Sequence, residues 1–88
     1  MENIDSILSF PCNFPIKVMG KAENEFDSLV VELVRRHYPD ILEGAVKTRL
    51  SNGGKYMSVT VIISAKSRSQ LDKIYEELSG NKRVLMAL

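Results

Sequence analysis

The sequence predicts one α+β domain in which strands and helices follow one another in the order βαββαβ. Residues 56–65, YMSVTVIISA, alternate between two faces with period two and are rich in β-branched side chains, as expected for a half-buried strand. Residues 24–38 and 67–80 instead place their apolar side chains at helical spacing. The chain of 88 residues has room for one modest core, but not for a second domain or a deep active-site cavity.

The folded domain is predicted over residues 14–88, after a lead-in segment over residues 1–13. Side chains alternate in polarity over residues 14–20 (FPIKVMG), which predicts the first strand. Pro15 has no N–H group to donate, so it should lie near the start of that strand. The lead-in is predicted to form an amphipathic turn, because its apolar residues are spaced as on one helical face: Ile4, Ile7, Leu8 and Phe10. This turn should pack over an edge or end of the core.

The first helix is predicted to begin after Asn24, whose side chain can accept a hydrogen bond from the first helical turn. Pro39 should end the helix at about Tyr38, because proline interrupts the helical hydrogen bonds. Glu32 and Arg36 lie four residues apart on its outer face and should form an ion pair.

A hairpin is predicted in the second half of the chain. A strand over residues 45–51 leads into the turn Asn52-Gly53-Gly54, whose residues tolerate positive φ, and residues 56–65 return antiparallel to it. Residues 81–88 are predicted as the last strand, which is apolar on both faces.

The second helix is predicted between these strands. Ser67 and Gln70 have the spacing of a capping box at its start. Lys73 and Glu77 should pair on its outer face, and Gly80 should end it in the left-handed conformation.

This order matches the split βαβ, ferredoxin-like arrangement, with an antiparallel sheet in the order 4-1-3-2 and both helices on one face. The other face has no cover from this domain unless the lead-in folds over it. Strand parity assigns side chains to this open face, and the candidate interaction residues among them are Lys17, Met19, Lys47, Arg49, Tyr56, Ser58, Thr60 and Ile62. The same parity adds Ser64, Arg83, Leu85 and Ala87.

The predicted open face carries no carboxylate, whereas the acidic residues cluster on the predicted helices. Two interpretations stay open. The face is an ordinary solvated sheet surface, or it binds a protein partner, either a second copy of the chain in a homodimer or an acidic or anionic molecule. A one-residue slip in any strand would move its side chains to the other face.

Composition narrows the function classes. A formal net charge of +1 creates no overall field for nucleic acids or membranes. The single cysteine, Cys12, excludes an intramolecular disulfide and, in practice, a cysteine-ligated metal site. No apolar run approaches the ~20 residues of a membrane span, and residues 1–10 lack the basic region of a secretory signal. We therefore expect a cytoplasmic protein without a metal or other cofactor.

No catalytic constellation can be assembled from the sequence, so we expect a protein that is not an enzyme. His37, the single histidine, lies on the apolar stripe near the end of the first helix, as a hydrogen-bonded boundary residue or an imidazolium favoured by the helix dipole. No glycine-rich phosphate loop precedes a helix. RNA-binding RRM domains of this topology stack bases on several rings, whereas Tyr56 is the one aromatic residue predicted on the open face.

Several segments resemble the YbeD family of small bacterial proteins: FPCNFPIKVMG at residues 10–20, VRRHYP at 34–39, SNGGKYMSVTVII at 51–63 and IYEEL at 74–78. The resemblance covers nearly the whole chain. It implies a ferredoxin-like fold similar to ACT-type regulatory domains and a link to lipoate metabolism, and it brings no catalytic residues. Asn52 and Lys55 depart from the family's more usual Ser-x-Gly-Asn turn.

Together these observations favour a small non-enzymatic regulatory or adaptor module, similar to ACT domains, that acts through its open sheet face. The first alternative is a nucleic-acid-binding module of RRM-like topology. The second alternative is a small enzyme of the lipoate pathway.

Overall fold

The computed structural model describes residues 9–88, so the turn predicted at Ile4, Ile7 and Leu8 lies outside the described residues. The described part has its strands and helices in the predicted order. Their bounds are β1 Cys12–Lys21, α1 Phe26–Arg35, β2 Val46–Leu50, β3 Tyr56–Ala65, α2 Arg68–Ser79 and β4 Val84–Ala87, with a short 3₁₀ helix at Glu43–Ala45 before β2.

The strands form one antiparallel sheet in the order β2-β3-β1-β4, which is the predicted order read from the opposite edge. β1 and β3 lie in the centre and pair along their full length, from Cys12 opposite Ala65 to Lys21 opposite Tyr56. Both helices pack on one face of this sheet against alternate side chains of the central strands. The predicted α+β, ferredoxin-like architecture is therefore confirmed.

The core lies between the helices and that face of the sheet. Its buried side chains come from alternate positions of β1 and β3 and from the inner stripes of both helices: Ile16, Val18, Val59, Val61, Ile63, Ala65, Phe26, Val30, Leu33, Val34, Leu71, Ile74 and Leu78. Burying one such aliphatic or aromatic side chain stabilises a fold by about 1.5–3 kcal/mol. A register slip would expose a whole strand's share of the core, so burial specifies the register.

Pro15 lies inside β1 rather than near its start, because β1 begins two residues earlier than predicted, at Cys12. The position of β4 explains why the proline is tolerated. Lys17 donates its N–H to the carbonyl of Leu88 on the β4 side. Strand alternation places the nitrogen of Pro15 on the same side, beyond the part of β1 that pairs with β4. No hydrogen bond of the sheet is lost there.

The start of α1 differs from the prediction. Asn24 does not cap the helix, which begins at Phe26, and Glu25 in the cap position makes no side-chain hydrogen bond to the first turn. Asn24 and Glu25 are both left-handed, with φ of 47° and 53°, a conformation that is costly for residues with a Cβ. The guanidinium group of Arg83 holds this segment by donating to the carbonyls of Glu23 and Asn24.

α1 also ends earlier than predicted, at Arg35 instead of Tyr38. The chain tightens after Arg35, since the N–H groups of His37 and Tyr38 both donate to the carbonyl of Val34. The predicted ion pair on its outer face forms, with 3.8 Å between Nη2 of Arg36 and Oε1 of Glu32.

The predicted start of α2 is confirmed, but its predicted end is wrong. The hydroxyl of Ser67 accepts a hydrogen bond from the N–H of Gln70 at 3.1 Å. Gly80 is right-handed, with φ −79°, because its N–H continues the helical pattern by donating to the carbonyl of Glu76.

β4 contains one residue that has no pairing partner on the neighbouring strand β1. Gly20 lies opposite Val84, whereas Met19 lies opposite Met86, so Leu85 is the extra residue of a β-bulge. Since a bulge shifts the alternation of a strand by one position, residues after Leu85 exchange faces relative to the prediction.

Two residues near the end of the chain do not lie on the open face where they were predicted, Ala87 because of the bulge and Arg83 because it precedes the strand. Ala87 lies opposite Val18 and packs against the core, not on the open face. Arg83 precedes β4, and its guanidinium lies 5.9 Å from the ring centre of Phe26 on the helix side of the sheet. Leu85 is exposed at the bulge.

Gly20 is the point where β1, β4 and the start of α1 come closest. A Cβ at this position would lie 2.5 Å from the ring of Phe26 and 2.6 Å from the carbonyl oxygen of Arg83. Any other residue must therefore push the ring or the β4 backbone away.

We expect Gly20→Ala to lower the free energy of unfolding by about 1–3 kcal/mol, since an added methyl group overpacks this junction. Urea denaturation followed by circular dichroism measures the change. Gly44→Ala is the control, because a Cβ there meets nothing within 4 Å. Equal denaturation midpoints for the two variants would contradict the packing at Gly20.

The hydroxyl group of Tyr75 in α2 makes the free energy of unfolding depend on pH. Burial raises the pKa of its hydroxyl above the usual value, because the charged phenolate is poorly solvated there. The unfolded chain therefore loses the proton first, at about pH 10, and stability falls as the pH rises from there to the folded-state pKa. We expect Tyr75→Phe to make the free energy of unfolding decline less steeply above about pH 10. An unchanged slope contradicts the burial of this hydroxyl.

Candidate interaction face

The predicted interaction residues lie in rows that run across the face of the sheet opposite the two helices. In one row, Lys47 of β2 lies opposite Thr60 of β3, which lies opposite Lys17 of β1. In the next row, Arg49, Ser58 and Met19 follow in the same order. Directly paired residues of an antiparallel sheet point to the same side, so all of these side chains share one face.

The remaining predicted residues extend this face along β3. Tyr56 lies opposite Lys21 at one end, and Ile62 lies opposite Pro15 at the other. The structure therefore brings together the whole predicted set, which we call the open face: Lys17, Met19, Lys47, Arg49, Tyr56, Ser58, Thr60 and Ile62.

β4 adds apolar side chains that the predicted parity placed on the other face. Met86 lies opposite Met19. Leu88 pairs with Lys17 through reciprocal backbone hydrogen bonds of 2.7 and 3.1 Å. Both side chains are exposed. The last strand is apolar at every position, so its sequence contained no alternation that could have revealed the bulge.

The cations of the open face have no ionic partner within residues 9–88. The ion pairs of that region join Arg36 to Glu32 and Glu77, His37 to Glu77, and Arg68 to Asp72, and all of these lie on or beside the helices. Lys17, Lys47 and Arg49 are exposed and take part in none of them. Positive charge therefore accumulates on the side of the sheet that the helices leave bare.

The centre of the open face is a shallow trough. Its floor is formed by the short side chains of Ser58 and Thr60, while longer side chains from β2 and β1 stand on either side. A depression of about 260 Å³ is lined by Lys17, Met19, Arg49, Leu50, Ser51, Tyr56, Met57 and Ser58. Its lining combines apolar side chains with cations and hydroxyl groups, which suits an amphipathic or anionic partner better than a small apolar ligand.

A larger cleft, of about 410 Å³, lies on the helix side of the molecule, and three of the side chains that line it, Arg36, His37 and Glu77, are engaged with one another. Glu77 accepts from Arg36 at 3.2 Å and lies 3.3 Å from Nε2 of His37. This arrangement corrects the predicted pair of Lys73 with Glu77, because the carboxylate instead joins α2 to the end of α1. His37 is thus a hydrogen-bonded residue at the boundary of the core.

No group of three or more histidine, cysteine, aspartate or glutamate side chains is placed to hold a metal ion within residues 9–88. Cys12 is half-buried at the start of β1 and packs against the core. None of the described helices has the length and apolar character needed to span a membrane.

Comparison with protein-family models shows to which family this chain belongs. The family model described as "Protein of unknown function (DUF493)" matches residues 5–88. The chain belongs to the DUF493 family. Since the match covers both helices and all strands described above, the whole ferredoxin-like domain is the family's domain.

Similar DUF493 relatives occur in several bacteria under the name UPF0250 protein. The relative from Chromobacterium violaceum is 45% identical over 82 residues, which cover 93% of this chain and 92% of the relative. The relative from Paraburkholderia phytofirmans is 44% identical, with 96% and 94% covered. The UPF0250 proteins are the YbeD family, so the resemblance noted from the sequence is confirmed.

A solved structure supports the fold of this DUF493 domain. The solution structure of protein HP0495 from H. pylori superposes with a TM-score of 0.69 and covers 100% of this chain and 96% of that one. Its sequence identity is 19%, so the likeness concerns the fold alone.

The lack of partners for the open-face cations predicts a small effect on stability. We expect Lys47→Gln with Arg49→Gln to leave the free energy of unfolding unchanged or up to about 0.5 kcal/mol higher, because exposed unpaired charges contribute little and like charges repel. Urea denaturation of the double variant measures this. A loss above about 1 kcal/mol would show that these side chains hold the fold together.

Proposed function

We propose that this DUF493 protein is a non-enzymatic adaptor or regulatory module that binds an acidic partner on its open face. The observation that supports this proposal is the placement of Lys17, Lys47 and Arg49 in adjacent rows, on a face without a carboxylate among the described residues. Net charge alone, at +1, gives no hint of this concentration.

The arrangement has an electrostatic cost that a partner would remove. Lys47 and Lys17 flank Thr60 in one row, so their strands lie two strand spacings, or about 10 Å, apart. Salt largely screens charges at this distance, because the screening length at physiological salt is about 8 Å, but Lys47 and Arg49 lie only about 7 Å apart along β2 and repel one another. Carboxylates from a partner would relieve the repulsion, speed the encounter and fix the orientation of docking.

The chemistry of the face supports binding rather than catalysis. Its described side chains are cationic, hydroxyl-bearing or apolar, and none is a histidine, cysteine or carboxylate that could act as the usual general base or metal ligand. Of the residues that could supply such groups, His37 is engaged with Glu77 on the helix side of the molecule.

Nucleic acid is the less favoured occupant of the same face. Single strands bind by stacking successive bases on aromatic rings, and Tyr56 is the one ring here. The ammonium group of Lys55 lies 5.6 Å from the centre of the Tyr56 ring, so it occupies one face of that ring. The proposal therefore names an acidic protein, and RNA is an outcome that the experiment must separate from it.

The regulatory setting within the proposal comes from the resemblance to the YbeD family. That resemblance implies a role like that of ACT-type regulatory domains and a link to lipoate metabolism. The lipoate link predicts that a protein carrying octanoyl or lipoyl groups is among the partners captured in the experiment below.

The proposal is tested with a charge-reversed face. We expect Lys47→Glu with Arg49→Glu to weaken partner binding at least tenfold, or about 1.4 kcal/mol, because two attractive contacts become repulsive. Proteins captured from the source cell on immobilised wild-type protein and on the variant are quantified by mass spectrometry. Lys66→Glu with Lys73→Glu is the matched control, since it makes the same change in net charge at exposed positions off the open face.

The proposal holds if acidic proteins are retained by the wild type and the control but lost with the face variant. Equal capture by all proteins contradicts the proposal. Parallel electrophoretic shifts with short RNA at low and moderate salt test the alternative. RNA binding that survives moderate salt and disappears in Tyr56→Ala would replace the acidic protein by a nucleic acid.

A further inference from the structure

The chemistry of the open face changes from one edge of the sheet to the other, in lanes that run along the strands. β2 supplies the cationic lane, Lys47 and Arg49, and β3 supplies the low hydroxyl lane, Ser58 and Thr60. The far side mixes charged and apolar side chains: on β1, Met19 lies between Lys17 and Lys21, and beyond it β4 adds the apolar side chains of Met86 and Leu88.

We propose that the partner presents an amphipathic α-helix to this face, with carboxylates along one border of the helix's apolar stripe. This inference rests on the proposed function and specifies its partner. The helix lies along the strands in the hydroxyl trough. Its acidic border faces the cations of β2, and its apolar stripe faces Met19 of β1 and the apolar side chains of β4.

The dimensions of the trough fit a helix. The lanes on β2 and β1 lie two strand spacings apart, about 10 Å, which matches the diameter of a helix with its side chains. Lys47 and Arg49 are separated by one residue, or about 7 Å along the strand. Carboxylates at positions i and i+4 of a helix are about 6 Å apart along its axis, so both can reach the cations at once.

The floor and the walls fit the same occupant. Ser58 and Thr60 are short and half-buried, so a helix can approach the sheet closely between taller side chains. The apolar stem of Lys17 lies in the β1 lane and carries its ammonium group to the trough from the opposite wall. Tyr56 and Ile62 stand along the same strand, on either side of the hydroxyl pair.

An extended peptide fits this pattern less well. Its side chains repeat every two residues along one line on each face, so it would occupy one lane and leave the others uncovered. A nucleic acid would leave Met86 and Leu88 without an apolar contact. The combination of cations on β2 with Met19 and the apolar β4 edge on the other side of the trough therefore favours a helix.

The test is a selection from an unbiased display library of random 16-residue peptides on the full-length protein. Peptides that also bind the Lys47→Glu, Arg49→Glu variant are removed by counter-selection, so that the peptides retained are those that need the cations. The affinity of each enriched peptide is measured by fluorescence anisotropy. Its conformation is measured by circular dichroism in the presence of the protein.

We expect enriched peptides to carry apolar residues at i, i+3, i+4 and i+7, with Asp or Glu at i and i+4 along one border. They should gain helix on binding and lose at least tenfold in affinity for the variant. Met19→Asp should also weaken them at least tenfold, because a carboxylate replaces an apolar contact on the far wall.

Different outcomes contradict the helix and the acidic partner. Acidic peptides that bind the open face in an extended form, or that ignore Met19→Asp, contradict the helix while the proposed function stands. If no peptide that needs the cations of the open face is enriched, both the helix and the proposed function are contradicted.

Discussion

The pairing of β1 with β3 is the constraint on which the rest of the molecule depends. These strands pair over their whole length in one register, and burial on a single side specifies that register. The same alternation that sends Ile16, Val18, Val59 and Val61 into the core must send Lys17, Met19, Ser58 and Thr60 to the opposite side. The candidate site is therefore a direct consequence of how the core is built.

The helices complete the asymmetry. They cover one side of the sheet and carry the described ion pairs, in which carboxylates such as Glu32 and Glu77 meet arginines on the same or the neighbouring helix. Within residues 9–88, the cations of the opposite side have no such partners. A chain that is almost neutral as a whole thus presents a positive surface on one side, and this separation of charge supports a binding role.

Local and periodic signals explain what the sequence could predict. The bounds of β3, the cap at Ser67 and the shared face of the candidate residues were all accessible, because each depends on period-two burial or on a side chain reaching its own helix. The bulge at Leu85 was not accessible, because every position of the last strand is apolar.

The other predictions that were wrong involve contacts between segments that are distant in the sequence. The left-handed backbone at Asn24 is held by Arg83, 59 residues further along the chain. Glu77 joins His37 across the helices instead of pairing with Lys73 within its own helix. No spacing rule within a helix or strand contains such contacts, because they require the folded arrangement of several elements.

The most direct test of the central claim is whether solvent reaches the open face in the complete chain. Methyl groups can be observed by NMR while a neutral gadolinium chelate is added to the solution. The methyl groups of Met19 and Thr60 should relax much faster with added chelate than those of Val18 and Val59, which are fully buried. Equal protection of both groups would contradict the account, because the face proposed for docking would then already be covered.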